Sequence, residues 1–138
     1  MERRAFPLFF FRGKLGASTL REKSLKLTAY LESLLLSSPY FNVNFEIITP
    51  RDPEQRGAQL SVKLESGLLE VVVKELEERG VVIDERRPDV IRVAPAPLYN
   101  TFSDVYEFRR AFDEALELAQ KARAGLVQAK GTTDLERT

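Results

Sequence analysis

Apolar residues recur every three or four positions between Thr19 and Pro39, with charged residues on the other sides of the helical wheel. This spacing predicts an amphipathic helix whose apolar face packs inward. Thr19 and Glu22 have the spacing of a capping box, which predicts the start of the helix, and the Ser37-Ser38-Pro39 run predicts its end. The inward-facing positions are Leu20, Ser24, Leu27, Leu31, Leu34 and Leu35.

The central part of the chain predicts two strands followed by a second helix. Strict alternation of apolar and polar residues over Ala58–Leu64 indicates a half-buried strand, and Phe45–Thr49 predicts another one before the proline-containing loop Pro50–Arg56. A helix that opens at Ser66 is expected to end at Arg79-Gly80, where glycine suits a left-handed position. The expected core residues are Ala58, Leu60, Val62 and Leu64 of the strand and Leu69, Val72, Val73 and Leu76 of the helix.

Two further strands and a long helix complete the pattern. Val81–Ile83 and Ile91–Val93 have the composition of strands, separated by a polar, hairpin-like connection. Thr101 and Asp104 form a second capping pair, which predicts the start of the final helix, and Gly125 is expected to mark its fraying into a polar tail. The apolar stripe of this helix is Val105, Phe108, Phe112, Ala115, Leu116 and Ala119.

The order of these elements predicts the fold class. Connections of hairpin length join successive strands, which favours an α+β domain with a small, mostly antiparallel sheet of three to four strands covered by three helices. We expect residues 1–16 to form a poorly ordered aromatic leader, residues 17–125 to form the domain, and residues 126–138 to form a polar tail.

Composition excludes several kinds of chemistry. The 138 residues contain no cysteine and no histidine, which removes disulfides, thiol nucleophiles, histidine-based triads and most zinc sites, so no metal is expected. The 21 basic residues balance 21 acidic ones, so nucleic acid is not an expected partner. No apolar run is long enough to span a bilayer and the leader is a poor match to a targeting signal, so we expect a cytoplasmic protein without a membrane partner.

One arginine stands within an apolar strand. Arg92 lies between Ile91 and Val93, and an arginine in a short strand usually reaches the surface. If the guanidinium is instead buried among its apolar neighbours, it needs an acidic partner, either a ligand carboxylate or an Asp or Glu of the protein. Turn formation and helix entry are the alternative explanations for four further candidate pocket-lining residues, which are Arg56, Gly57, Tyr99 and Asn100.

Several segments together resemble the C-terminal domain of kynureninase. They are Ile48-Thr49-Pro50, Arg56-Gly57-Ala58-Gln59-Leu60-Ser61, Leu76-Glu77-Glu78-Arg79-Gly80-Val81-Val82 and Ile91-Arg92-Val93-Ala94-Pro95-Ala96-Pro97-Leu98-Tyr99-Asn100-Thr101-Phe102. The resemblance extends from about Leu20 to about Ala119. It implies that the domain has the fold of the C-terminal domain of fold-type-I, aminotransferase-like enzymes.

The resemblance also implies an activity for the complete enzyme. Kynureninases are homodimers that use pyridoxal phosphate to hydrolyse L-kynurenine or 3-hydroxykynurenine to anthranilate or 3-hydroxyanthranilate and L-alanine, in tryptophan catabolism and NAD synthesis. In this family an arginine of the small domain binds the substrate's α-carboxylate, and Arg92 of the Ile-Arg-Val-Ala-Pro motif matches it. The large domain with the Schiff-base lysine has no counterpart in these 138 residues. We therefore expect the chain alone to hold no catalytic residue, to bind no cofactor and to be inactive without a large-domain or homodimer partner.

Two other interpretations stay open at this point. Small α+β domains also serve as non-catalytic modules that bind small molecules or other proteins. The leader differs from the sequence that precedes this domain in the family, which is also compatible with a truncated gene product without function. If the chain is a part of a kynureninase, with or without a function of its own, the flank that would meet the large domain is expected to expose apolar surface. This surface is expected to promote self-association.

Overall fold

The computed structural model describes residues 17–50, 52, 59–96 and 100–136, with the backbone alone for residues 17, 18 and 127–136. The predicted leader lies outside these residues. Within them, the order of helices and strands is the one that the sequence predicts. The elements are α1 (Ala17–Leu36), β1 (Phe45–Ile47), β2 (Leu60–Leu64), α2 (Leu69–Glu78), β3 (Asp84–Arg86), β4 (Val90–Val93) and α3 (Phe102–Glu136).

The four strands form one antiparallel sheet in the order β1-β2-β4-β3. Because side chains alternate between the two faces of a strand, the register gives the sheet an apolar face and a polar face. The apolar face carries six buried residues, Phe45, Leu60, Val62, Leu64, Ile91 and Val93. The predicted α+β fold with a small antiparallel sheet and three helices is confirmed.

The three helices cover the apolar face and form one core with it. The ring of Phe112 on α3 is fully buried, and its centroid lies 5.0 Å from that of Phe45 on β1 and 5.7 Å from that of Phe108. Of the predicted helical core positions, Leu20 and Leu34 are only partly buried. The others are buried, namely Ser24, Leu27, Leu31, Leu35, Leu69, Val72, Val73, Leu76, Val105, Phe108, Phe112, Ala115, Leu116 and Ala119.

The predicted start of α1 and the predicted third strand are both wrong. Helix α1 already includes Ala17, so Thr19 lies inside the first described turn and is not its N-cap. Val81–Ile83 is not a strand, because the backbone N–H of Val81 donates to the carbonyl of Leu76 at 2.9 Å. This bond completes the C-terminal cap of α2, in which Gly80 has a φ of 81°. Pairing with β4 begins three residues later, at Asp84.

The predicted end of α3 is also wrong. The helix does not fray near Gly125 but continues to Glu136. Gly125 keeps a helical backbone without a positive φ, so it does not adopt the left-handed conformation that terminates α2 at Gly80. A glycine inside a helix costs about 1 kcal/mol relative to alanine, which weakens a helix without ending it. Composition alone therefore placed this boundary too early.

A polar contact joins α1 to α3 beside the core. The hydroxyl of Ser38, which is buried, donates to Asp113 Oδ1 at 2.7 Å. The other oxygen of Asp113 lies 2.6 Å from Nε of Arg109, one turn earlier on α3. Asp113 thus accepts a hydrogen bond from a buried hydroxyl that follows the end of α1 and forms an ion pair with a neighbouring cation on its own helix.

The capping box at the start of α3 is confirmed. The N–H of Asp104 donates to Thr101 Oγ1 at 3.1 Å, and the N–H of Thr101 donates to Asp104 Oδ2 at 2.9 Å. Both donors would otherwise lack a partner within the helix. We expect Thr101→Ala to lower the free energy of unfolding by about 1 kcal/mol, measured by urea denaturation with circular dichroism. Ser103→Ala, at an exposed position of the same turn, is the control, and an equal loss in both variants would contradict the capping role.

Candidate functional site

The face of the sheet opposite the helices is polar, and we call it the open face. The strand register places Arg92 inside it, between Ser61 on β2 and Asp84 on β3, whose Cα atoms are its partners. Lys63 and Arg86 lie on the neighbouring row of the same face. The complete open face in the described strands is Glu46, Ser61, Lys63, Asp84, Arg86, Val90 and Arg92.

Arg92 is not buried among its apolar sequence neighbours. Strand alternation sends Ile91 and Val93 into the core and Arg92 to the open face, where its side chain is 38% exposed. Its acidic partner is Asp84, whose side chain is 53% exposed and whose Oδ2 lies 3.8 Å from Arg92 Nη1. The alternative of a buried guanidinium with a buried acidic partner is therefore wrong. The guanidinium is held at one end by a long ion pair and is accessible on the open face.

The carboxylate of Asp84 serves two arginines. Its Oδ2 lies 3.2 Å from Nη2 of Arg86 and 3.8 Å from Nη1 of Arg92. With Lys63, the described open face carries three cations against the two carboxylates of Glu46 and Asp84. This surplus of positive charge favours an anion as the occupant.

The structure describes one of the four candidate pocket-lining residues. Arg56, Gly57 and Tyr99 lie outside the described residues. Asn100 closes a short loop between β4 and α3: its Oδ1 accepts from the N–H of Ala96 at 2.7 Å, and its own N–H donates to the carbonyl of Ala96 at 2.7 Å. The amide oxygen of Asn100 is thus bound to the backbone, an arrangement that matches the alternative explanation of helix entry.

A second group of polar residues lies at the end of the sheet near the start of β1. Asn44 is buried, its Nδ2 donates to Glu65 Oε2 at 2.9 Å, and its Oδ1 accepts from Nε2 of Gln120 on α3. Arg123, also on α3, lies 2.9 Å from the other oxygen of Glu65. Sequence reasoning missed this group because the two hydrogen bonds of Asn44 join residues 21 and 76 positions apart, and no local pattern relates them.

The hydrogen bond from Arg123 lowers the pKa of Glu65 below its ordinary value of 4.5, against the opposing effect of desolvation and with help from Asn44. Since the folded-state pKa is lowered, the stabilisation is present above about pH 4.5 and is lost as the pH falls through the lowered pKa. We expect Arg123→Gln to raise the pKa of Glu65, measured by a carbon-13 titration of the carboxyl group. Lys121→Gln, which removes a cation paired with Glu117 instead, should leave that pKa unchanged. An unaltered Glu65 titration in Arg123→Gln would contradict this assignment.

An open cleft of about 380 Å³ borders this second group, and Arg92 is not among the residues that line it. Three carboxylates, those of Glu46, Glu65 and Asp89, line it beside one cation, Lys63. Among the described residues, no cluster of His, Cys, Asp and Glu is arranged to hold a metal ion. No helix in the described part of the chain combines the length and apolar character that crossing a bilayer requires.

Residues 20–112 match the family described as the kynureninase C-terminal domain. The chain belongs to this family. The match includes β1 to β4 with Arg92 and ends within α3. The chain is 59% identical over 108 residues to kynureninase 1 from Aspergillus clavatus, and the match covers 75% of this chain and 22% of that protein. It is 58% identical over 114 residues to kynureninase from Coccidioides immitis, covering 80% of this chain and 24% of that protein. The chain thus spans about a quarter or less of the length of these curated relatives.

Solved structures show the same fold at low sequence identity. A cysteine desulfurase from Escherichia coli superposes with a TM-score of 0.64 at 22% identity, over 79% of this chain and 28% of the desulfurase. A cystine C-S lyase, solved with its reaction product cysteine persulfide, gives a TM-score of 0.62 at 17% identity, over 77% of this chain and 26% of the lyase. The similarity shows that the arrangement of helices and sheet is shared with domains of larger enzymes.

Proposed function

We propose that this chain acts as the small domain of a kynureninase and that Arg92 binds the α-carboxylate of the amino-acid substrate. The observation that supports this is the position of Arg92 on the open face, where Asp84 contacts only one end of its guanidinium, at 3.8 Å. A planar guanidinium binds a carboxylate through two parallel N–H donors, which fixes both the position and the orientation of the ligand. Arg92 would thereby orient the substrate relative to groups supplied from outside the described residues.

The proposal extends to the activity of the complete enzyme. It would hydrolyse L-kynurenine or 3-hydroxykynurenine to anthranilate or its hydroxy form and L-alanine, with pyridoxal phosphate as the cofactor that accepts electrons from the bond to be broken. Curated relatives named kynureninase, at 55 to 59% identity, support the reaction type. A homodimeric assembly and a cytoplasmic location belong to the same proposal.

The lining of the described cleft does not fit pyridoxal phosphate. Arg92 stands on an open sheet surface, and the described cleft does not include it. That cleft is lined by three carboxylates and one lysine, a balance that opposes the binding of a phosphate group. We therefore propose that the cofactor is held by residues beyond the described ones.

A chimeric enzyme tests the proposed function. The matching C-terminal segment of the Aspergillus clavatus protein is replaced with the corresponding residues of this chain, and anthranilate release from L-kynurenine is followed by fluorescence. We expect the chimera to be active and the isolated chain, with the same cofactor and substrate, to release no anthranilate. A folded chimera without activity would contradict the assignment as a kynureninase small domain, and activity of the isolated chain would contradict its dependence on a partner.

A further inference from the structure

The contact between Arg92 and Asp84 is imposed by the sheet. The two residues are Cα partners in the β3–β4 ladder, so their side chains leave the same face at adjacent positions. Asp84 presents to Arg92 the same chemical group, a carboxylate, that an amino-acid substrate would present. It does so through one oxygen at 3.8 Å, without a hydrogen-bonded pair. An ion pair this long between two partly exposed side chains is weak.

Arg86 forms an ion pair with the same carboxylate oxygen. Its Nη2 lies 3.2 Å from Asp84 Oδ2, closer than Nη1 of Arg92 does to that oxygen. Arg86 and Asp84 are both on β3, two positions apart, and their side chains leave the same face of the sheet. Asp84 therefore divides its charge between two guanidinium groups, and the nearer of them is not Arg92.

We propose that Asp84 is a built-in competitor that occupies Arg92 while no substrate carboxylate is bound, and that Arg86 limits this competition by holding the same oxygen. The proposal rests on the proposed function of Arg92 and adds a residue that sets the affinity of this site for a carboxylate. A ligand carboxylate that engages two N–H donors at once outcompetes the single long contact with Asp84, because bidentate pairs are the stronger ones. Asp84 would thus lower the apparent affinity of Arg92 for every anion that must displace it, by the same factor.

The test uses the complete 138-residue chain and acetate as the probe. The Nε–Hε signal of Arg92 is followed by nitrogen-15 NMR during an acetate titration at constant ionic strength. We expect Asp84→Asn to tighten the apparent Kd for acetate by about two- to fivefold, because the competing carboxylate is removed. Asp89→Asn removes the same charge from the adjacent turn, where no ion pair with Arg92 is described, and should change the Kd much less.

A double-mutant cycle separates the role of Arg86 from a direct effect of its charge. We expect Arg86→Ala to weaken acetate binding by about twofold, because Asp84 is then free to engage Arg92 more closely. If Arg86 acts through Asp84, this loss disappears in the Asp84→Asn background. A loss of the same size in both backgrounds would overturn the part assigned to Arg86.

The outcomes distinguish this inference from the proposed function. An Arg92 signal that responds to acetate with equal affinity in the native chain and in Asp84→Asn overturns the competitor role and leaves the carboxylate site intact. Equal tightening in Asp84→Asn and Asp89→Asn also overturns it, since general charge then explains the effect. An Arg92 signal that does not respond to acetate in either the native chain or Asp84→Asn counts against the carboxylate-binding role itself.

Discussion

Replacing Arg92 with alanine in the chimeric enzyme is expected to lower kcat/KM for L-kynurenine by about 100-fold. Removing one partner of a hydrogen-bonded charge pair lowers the binding free energy by more than the net contribution of the intact pair, because the remaining carboxylate is left without its donors. The loss should appear in KM, since substrate binding weakens, and in kcat, since the substrate is no longer held in one orientation. Steady-state kinetics with fluorescence detection of anthranilate measures both.

Two variants make the Arg92 experiment specific. Arg92→Lys keeps the positive charge but lacks the planar fork of donors, so we expect it to recover only part of the activity. Arg110→Ala removes an exposed arginine of α3 and should retain native kinetics. Because Arg92 is a partly exposed residue of a central strand, circular dichroism should show all three variants folded. Native kcat/KM in a folded Arg92→Ala enzyme would refute the carboxylate-binding role.

Phe112→Ala is expected to have the largest effect on stability, a loss of about 3 to 5 kcal/mol in the free energy of unfolding. The Phe112 ring is fully buried and packs against Phe45 and Phe108, so it joins the last helix to the first strand of the sheet. Its removal forfeits the transfer free energy of the ring and leaves a cavity that close-packed neighbours fill only in part. Urea denaturation of the 138-residue chain, followed by circular dichroism, measures the change.

The matched control for Phe112 lies on the opposite side of the same helix. Tyr106 is 47% exposed, so Tyr106→Ala should cost about 1 kcal/mol or less. If Phe112→Ala is too unstable to fold, Phe112→Leu provides a smaller reduction in volume that should still exceed the effect of Tyr106→Ala. A Phe112→Ala chain as stable as Tyr106→Ala would contradict the packing that holds α3 on the sheet.

The sequence by itself determined the elements whose signals are local. The apolar stripe of α3 and the alternation along β2 follow from the 3.6- and 2-residue periods of helix and strand, and each was predicted from residues a few positions apart. The capping box of Thr101 and Asp104 spans three residues and was predicted for the same reason. Predictions failed at boundaries, where Val81 bonds back to α2 and Gly125 stays helical, because competing local structures differ there by about 1 kcal/mol.

The sequence also singled out Arg92 but not its surroundings. The resemblance in the motif was sufficient to identify the residue. Strand alternation alone implies that the side chain of Arg92 lies on the sheet face opposite to that of Ile91 and Val93, which face the core. The sequence pattern places its partner, Asp84, in a polar connection, whereas the structure places it in β3. The pairing of Asp84 with Arg92 depends on the register of β3 against β4, which local propensity does not specify.

Only the tertiary structure decided the relations between distant residues. The strand order β1-β2-β4-β3 places Ser61 and Asp84 on either side of Arg92, and the packing of α3 brings Asp113 to Ser38 and Gln120 to Asn44, 75 and 76 residues apart. Such contacts form only when the whole core is assembled. A single hydrogen bond contributes too little stabilising free energy to offset the chain entropy that is lost when so long a loop closes. Periodicity in the chain therefore specified which residues face inward, and assembly of the core specified which side chains meet.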